Sequence, residues 1–248
     1  MLRTIFWFIY FFSYLVWAMP SLWKADRLKK QGKTEEHERH VEKITSDWAA
    51  ALLKVAGVKV HVHGKENLPD QENCLIVSNH QGNFDIPVLL ANLERKIGFI
   101  SKVEVKKIPI IPGWMEHMHC IFMDRKNRRQ SIKAILDGAR NLEEGHNIVI
   151  FPEGTRSKGG PVGMFKKGSF KLASKSGAAI LPIAINGSYK AMESNKNIIR
   201  PAEVHLTILP PVRIHQQYPG MELEQLADIV KGQIEEALAG TQKKAGKI

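Results

Sequence analysis

The alternation of apolar and polar positions divides the chain into segments of different kinds. From residue 58 onward, short runs rich in β-branched residues recur at 58–63, 74–78, 97–101, 120–123, 147–151, 179–185 and 204–209, and each reads as a strand. Helical patterns fall between them, near 86–93, 103–107, 131–144, 168–176 and 222–239. In one of these, Ile132, Ile135, Leu136, Ala139 and Leu142 form an apolar stripe that Gly145 ends. Strands alternating with helices predict an α/β fold whose sheet is mainly parallel or mixed and flanked by helices. Ahead of it, Val41, Ile44, Thr45, Trp48, Leu52 and Val55 share one helix face, and Gly57 is the expected stop. Such a helix either lies on lipid or packs onto the domain.

The residues before that helix differ in character. Twenty uncharged residues separate Arg3 from Lys24, and nine of the 19 aromatic residues fall in the first 23 positions. The length suits a hydrocarbon core of about 30 Å, and the abundance of Trp and Tyr suits its interface. Pro20 interrupts the segment, and Lys24, Arg27, Lys29 and Lys30 follow, where they would meet anionic lipid headgroups. A cleaved signal peptide is disfavoured, because no small-x-small cleavage site follows the apolar run. The predicted organisation is a hydrophobic plus amphipathic helical membrane anchor over 1–57, an α/β domain over 58–240 and a basic tail over 241–248. The anchor predicts location at the cell membrane, and the cations after Trp23 predict a domain on its cytoplasmic side.

Charge and composition narrow the partners. With 36 Lys and Arg against 25 Asp and Glu, the formal charge is +11, which calls for an anionic partner. The aromatics are not interleaved with the cations of the globular part and no nucleic-acid motif appears, so no nucleic-acid partner is expected. Two cysteines, Cys74 and Cys120, exclude a disulfide framework and a thiolate zinc cluster. His61-x-His63 and His117-x-His119 have a ligand-like look. Neither His-Glu-x-x-His nor paired-Cys spacing supports them, and no metal site is expected.

Three loops carry candidate chemistry. Ser78-Asn79-His80-Gln81-Gly82-Asn83-Phe84-Asp85 follows an apolar strand. A tight strand-to-helix loop can fold the Asp85 carboxylate onto one nitrogen of His80 and leave the other to take a proton from a hydroxyl; Asp85 also suits a helix N-cap. Phe151-Pro152-Glu153-Gly154-Thr155-Arg156-Ser157 follows another strand. Gly154 permits close backbone approach, Thr155 and Ser157 offer hydroxyls, and Arg156 presents a planar fork suited to phosphate. It is not a Walker loop. In the third stretch Lys102 and Arg125 each follow a strand and could reach the mouth where His80 emerges. There Ile108-Pro109-Ile110-Ile111-Pro112-Gly113-Trp114 is either a groove lining or a packed loop. A hydrolase would need a nucleophile or water, and neither Ser78 nor Ser169 lies in a Gly-x-Ser-x-Gly elbow.

Asn79-His80-x4-Asp85 and Phe151-Pro152-Glu153-Gly154-Thr155-Arg156, with Lys102-x-Glu104, Phe122-Met123-Asp124-Arg125 and Ile180-Leu181-Pro182-Ile183 in compatible order, resemble the glycerolipid acyltransferase family. Within it the likeness is to the bacterial 1-acyl-sn-glycerol-3-phosphate branch, and it covers about residues 40 to 215. Gly82-Asn83 departs from the serine that many relatives carry, and His119-Cys120 from a common glycine. The resemblance implies acyl transfer from acyl-CoA or acyl-carrier protein to the 2-hydroxyl of lysophosphatidic acid, giving phosphatidic acid for phospholipid biosynthesis, with no cofactor beyond the co-substrate. His80 would be the base and Asp85 its orienting partner. Arg156, with Lys102 and Arg125, would grip the acceptor phosphate; Glu153 would order that cluster or bind the glycerol, and Gly154 and Thr155 would shape the loop. Glycerol 3-phosphate or another lysophospholipid remains as an alternative acceptor, and a membrane-anchored thioesterase as an alternative activity.

Overall fold

The structure, a computed structural model, describes residues 1–70 and 72–245. Nine helices and seven strands follow one another among them. Helices α1 (Leu2–Trp17), α2 (Met19–Lys30) and α3 (Thr34–Ala56) precede strands β1 (Val58–His63) and β2 (Cys74–Ser78). Then come α4 (Asp85–Asn92), β3 (Ile97–Lys102), α5 (Ile111–His117), β4 (Ile121–Met123), α6 (Arg128–Glu143) and β5 (Asn147–Ile150). The chain closes with α7 (Lys171–Ser176), β6 (Ala179–Asn186), β7 (Ala202–Ile208), α8 (Ile214–Gln217) and α9 (Leu223–Ala245).

The strands form one mixed sheet in the order β1-β7-β6-β2-β5-β3-β4. β6, β2, β5, β3 and β4 are mutually parallel, whereas β7 pairs antiparallel with β6 and parallel with β1. Pro182, which has no N–H to give, sits just before the antiparallel pairing begins at Ile183. Side chains of β2 alternate between two covered faces, as strand geometry requires. Ile76 joins Val41, Leu52, Phe84, Leu89 and Leu181 on one face. Leu75 and Val77 join Leu142, Leu172, Ile180 and Val230 on the other. Because both faces are buried, the central strands read as continuous apolar runs.

The N-terminal helices belong to the first of these cores. α3 buries Val41, Ala49, Leu52, Leu53 and Ala56, and Gly57 closes it with a left-handed turn (φ 75°). The Trp7 ring lies 5.6 Å from that of Phe84 and its Nε1 donates to Leu52 O at 3.0 Å. Thr4 Oγ1 accepts Ile199 N at 2.9 Å. The amphipathic helix therefore packs onto the domain, and α1 is fastened beside it. The outer side of α1 stays apolar and exposed through Ile5, Phe6, Ile9, Phe12, Val16 and Trp17. The stretch Leu2–Lys30 is long and apolar enough to cross a membrane, with a mean hydropathy of 1.6 over its window.

Several boundaries differ from the sequence reading. Pro20, read as an interruption, falls in the first turn of α2, where its missing N–H costs nothing, and the charged stretch after Trp23 is helical through Lys30. α6 begins three residues early, since Asn127 caps it by accepting Gln130 N at 3.2 Å. The apolar Pro turn contains α5, with Trp114 buried. Of the expected basic tail, 241–245 continue α9 and 246–248 lie outside the described residues.

Trp7→Ala is expected to lower stability by about 3–5 kcal/mol, the usual cost of emptying a buried aromatic site. Phe12→Ala, on the exposed side, is expected to stay within about 0.5 kcal/mol. Thermal unfolding of both variants in the same detergent checks the contrast.

Candidate active site

The carboxyl ends of β2 and β5 lie side by side, with Val77 in register with Ile150, so the loops that leave them are neighbours. Two backbone hydrogen bonds join these loops: Ser157 N donates to His80 O at 2.7 Å and Lys158 N to Gln81 O at 3.1 Å. Asn79 clamps the first loop to the end of β6, donating to Ile185 O at 2.9 Å and accepting Ile185 N at 2.8 Å. The mouth is thus built from three adjacent parallel strands.

Within it, Asp85 is wholly buried and His80 is 18% exposed, with Nδ1 and Oδ2 2.7 Å apart. Oδ2 also accepts the backbone N–H groups of Gln81 (2.7 Å) and Gly82 (2.9 Å). Oδ1 accepts the Ser188 hydroxyl. Amide N–H groups can only donate, so this carboxylate is an acceptor throughout and Nδ1 of His80 carries the ring proton. The lone pair of the neutral ring therefore stands on Nε2, on the side away from Asp85. The imidazole stacks on Phe151 with centroids 4.1 Å apart and planes inclined by 15°, which fixes its tilt. Asp85 is the first residue of α4 rather than its cap, and its side chain turns back into the loop. The capping role expected of it is corrected, because the loop amides and His80 take both oxygens.

The second loop is organised around Glu153. Its Oε1 accepts His80 N at 2.7 Å and its Oε2 accepts Gly163 N at 2.8 Å. Of the two roles expected for Glu153, ordering the cluster or binding the glycerol, the contacts match the first: each oxygen is engaged by a backbone amide. Arg125 reaches the same loop, donating to Gly154 O. Gly154 has φ +70° and lies against Lys166, where a Cβ would come within 2.6 Å of Nζ. Arg156 donates from Nη1 to Asn83 Oδ1 and, at 3.1 Å, to Glu193 Oε1. Among the described residues only that nitrogen is engaged, which leaves Nη2 and Nε to meet an anion. Thr155 is exposed on the rim, and Lys102 is exposed at the end of β3, its side chain without a hydrogen bond among the described residues. His80 is bonded directly to Asp85 and Glu153, and Arg125 to Gly154; Arg156 joins the His80 loop through Asn83, and Lys102 and Thr155 show no such contact among the described residues.

Sequence reasoning missed Ser188 and Glu193. Both follow β6, and the rule that functional loops leave the carboxyl ends of parallel strands points there; no local motif does. Beside the His80 loop lies an apolar cavity of about 410 Å³, lined by residues that include Phe11, Trp48, Phe84, Phe99, Trp114 and Met192. Asn83 and Ser101 are among the few polar groups on its wall. An apolar chamber next to an oriented base and a guanidinium suits a ligand with an alkyl tail, a hydroxyl and an anion.

A family model described as acyltransferase matches residues 59–186, about half of the chain. The chain belongs to the acyltransferase family. It is 31% identical over 182 residues to the 1-acyl-sn-glycerol-3-phosphate acyltransferase of Borreliella burgdorferi, covering 73% of this chain and 72% of that one. It is 35% identical over 183 residues to the chloroplast 1-acyl-sn-glycerol-3-phosphate acyltransferase of Arabidopsis thaliana, covering 73% of this chain and 49% of that one. The chain thus spans about half the length of this plant relative. Among solved structures, the 1-acyl-sn-glycerophosphate acyltransferase PlsC of Thermotoga maritima superposes with a TM-score of 0.85 at 26% identity, covering 97% of this chain and 95% of that one. That agreement extends through the N-terminal helices, beyond the segment matched by the acyltransferase model.

In this acyltransferase, Glu153→Gln turns one amide-facing oxygen into an amino group that cannot accept. The change is expected to cost about 1–3 kcal/mol, the penalty of a buried donor left unmet, and to lower turnover by loosening His80. Unfolding midpoints and single-turnover rates on the same preparation check both effects.

Proposed function

We propose that the chain transfers an acyl group from a thioester donor, acyl-CoA or acyl-carrier protein, to the 2-hydroxyl of 1-acyl-glycerol 3-phosphate, forming phosphatidic acid. The observation that carries the reading is the His80–Asp85 pair, with its lone pair on Nε2, beside an apolar cavity and a guanidinium with two unused nitrogens. The names of the relatives point the same way.

In this reading Nε2 of His80 takes the proton of the 2-hydroxyl as its oxygen attacks the thioester carbonyl. The C–S bond then breaks, the new ester C–O bond remains, and the imidazolium returns its proton to the departing thiolate. Asp85 keeps the ring in one tautomer and stabilises the imidazolium. Because a thioester is already activated, no covalent enzyme intermediate is required. Arg156, with Lys102 and Arg125, meets the acceptor phosphate, and the apolar cavity takes an acyl chain. Holding both substrates in line supplies the remainder of the acceleration.

The membrane seating follows from the fastening of α1. A helix tied to the domain through Trp7, Thr4 and its contact with Phe84 is not free to cross a bilayer alone. We infer that α1 and α2 lie in one leaflet, with Phe6, Phe12, Trp17 and Trp23 in lipid and Lys24, Arg27, Lys29 and Lys30 at anionic headgroups on the cytoplasmic face.

His80→Ala is expected to fold normally and to lose about 10²- to 10⁴-fold in turnover, the usual contribution of a general base. Phosphatidic acid formation by the purified variant measures it, and near-normal turnover would refute the assignment. Arg156→Lys keeps a charge beside Glu193 and removes the fork. It is expected to raise the acceptor KM by about tenfold or more, matching one charged hydrogen bond of about 1.5–3 kcal/mol, with the donor KM unchanged. An acceptor panel containing glycerol 3-phosphate, other lysophospholipids and water alone separates this activity from its alternatives.

A further inference from the structure

A second cluster of titratable side chains lies at the opposite end of the sheet. His119 stands just before β4 and His146 just before β5, at the amino ends of strands whose neighbours lead to the catalytic mouth at their carboxyl ends. Glu38 projects to the same point from α3. One ligand atom from each of the three residues lies within 4.8 Å of the others. The two rings are stacked, with centroids 3.6 Å apart.

We propose that Glu38, His119 and His146 form a binding site for a divalent transition-metal ion of the zinc class, which fastens α3 to the amino end of the sheet. Two imidazole nitrogens and one carboxylate oxygen are a zinc-type donor set, and they leave a fourth position for water. Magnesium and calcium prefer all-oxygen shells and fit it poorly. Tetrahedral bonds of about 2.0–2.1 Å set the donor atoms roughly 3.4 Å apart, so the site closes by small side-chain rotations.

The surroundings are built for these rings. A single residue of α6 positions both: Asn141 Nδ2 donates to His119 O at 2.9 Å, and its carbonyl accepts His146 N at 2.9 Å. Burial, with His146 beside it, pushes the His119 pKa down to about 3, and burial lowers that of His146 as well. Both rings therefore keep their lone pairs at neutral pH. The Lys96 ammonium is paired with the Glu38 carboxylate, and its side chain is only 11% exposed. A metal ion would take over the role of this lysine as the cation on Glu38. Cys120 is not a ligand: its sulfur accepts Phe99 N at 3.2 Å, and burial drives its pKa up to about 12.

The test uses the full chain in detergent, freed of any affinity tag and stripped with a chelator. Calorimetric titration with zinc is expected to give one equivalent per chain and a raised unfolding temperature, and magnesium is expected to give neither. His146→Ala and Glu38→Gln should each weaken zinc binding at least tenfold with acyl transfer retained. Lys96→Met, which removes the competing cation, should tighten it several-fold; a gain of affinity cannot come from misfolding. Cobalt bound in place of zinc should show visible absorption bands that His119→Ala abolishes. The proposal is overturned if the wild-type chain binds no zinc. It is equally overturned if binding persists undiminished in both His146→Ala and Glu38→Gln, or is lost instead in His205→Ala, which disrupts the separate stack of His61, His63 and His205.

Discussion

The geometry of the candidate site depends on one buried carboxylate. Asp85 accepts from the ring of His80, from two consecutive loop amides and from the Ser188 hydroxyl, with no exposure to water. Amides are fixed donors, so the same bonds that fold the loop also dictate the tautomer of the histidine. The loop cannot keep its shape with Asp85 turned away, and His80 cannot present Nε2 outward unless Asp85 is turned in. Local folding and chemical readiness are one constraint here. The cost of burying a charge is met by saturating it with hydrogen bonds.

From that constraint the rest of the mouth follows in layers. Asn79 anchors the loop to β6, Gln81 Oε1 accepts Gly187 N at 2.8 Å, and Glu153 grips the backbone of His80 from the neighbouring loop. Glu193 belongs to the same scheme. It accepts Asn83 N at 2.8 Å and Arg156 Nη1 at 3.1 Å, so the helical turn that follows β6 orients the guanidinium. Gly82 leaves room for this arrangement, since a Cβ there would approach Glu193 Oε2 to 2.4 Å. A residue that departs from the family's usual serine is thereby matched to an acidic partner in the third loop.

Much of this was legible from the chain and some was not. All seven strands lie where β-branched runs mark them: the central ones as unbroken apolar segments covered on both faces, and β1 and β7 as alternating ones. The two loops of the mouth were legible because Asn79, His80, Asp85 and the 151–156 stretch carry specific chemistry at short spacing. Ser188 and Glu193 were not, since a serine and a glutamate more than a hundred residues from His80 acquire meaning only through the crossing of β6 beside β2. For Glu153 the sequence leaves two roles open, ordering the loop cluster or binding the glycerol, and its contacts with backbone amides favour an ordering role. His119 stands out in the chain only beside His117; its meeting with His146 was not legible, because it depends on how α6 returns to the sheet.

The aromatic contact between Trp7 and Phe84 has a consequence for what the N-terminus is. Phe84 is the residue immediately before Asp85, and the helix that touches it also walls the apolar chamber. The apolar segment that we place in lipid is therefore also packed beneath the candidate site. Removing that helix would take away the ring packed on Phe84 and one wall of the chamber. On the reading proposed above, a bilayer that tugs on the first helix would pull on the surroundings of the His80–Asp85 pair as well.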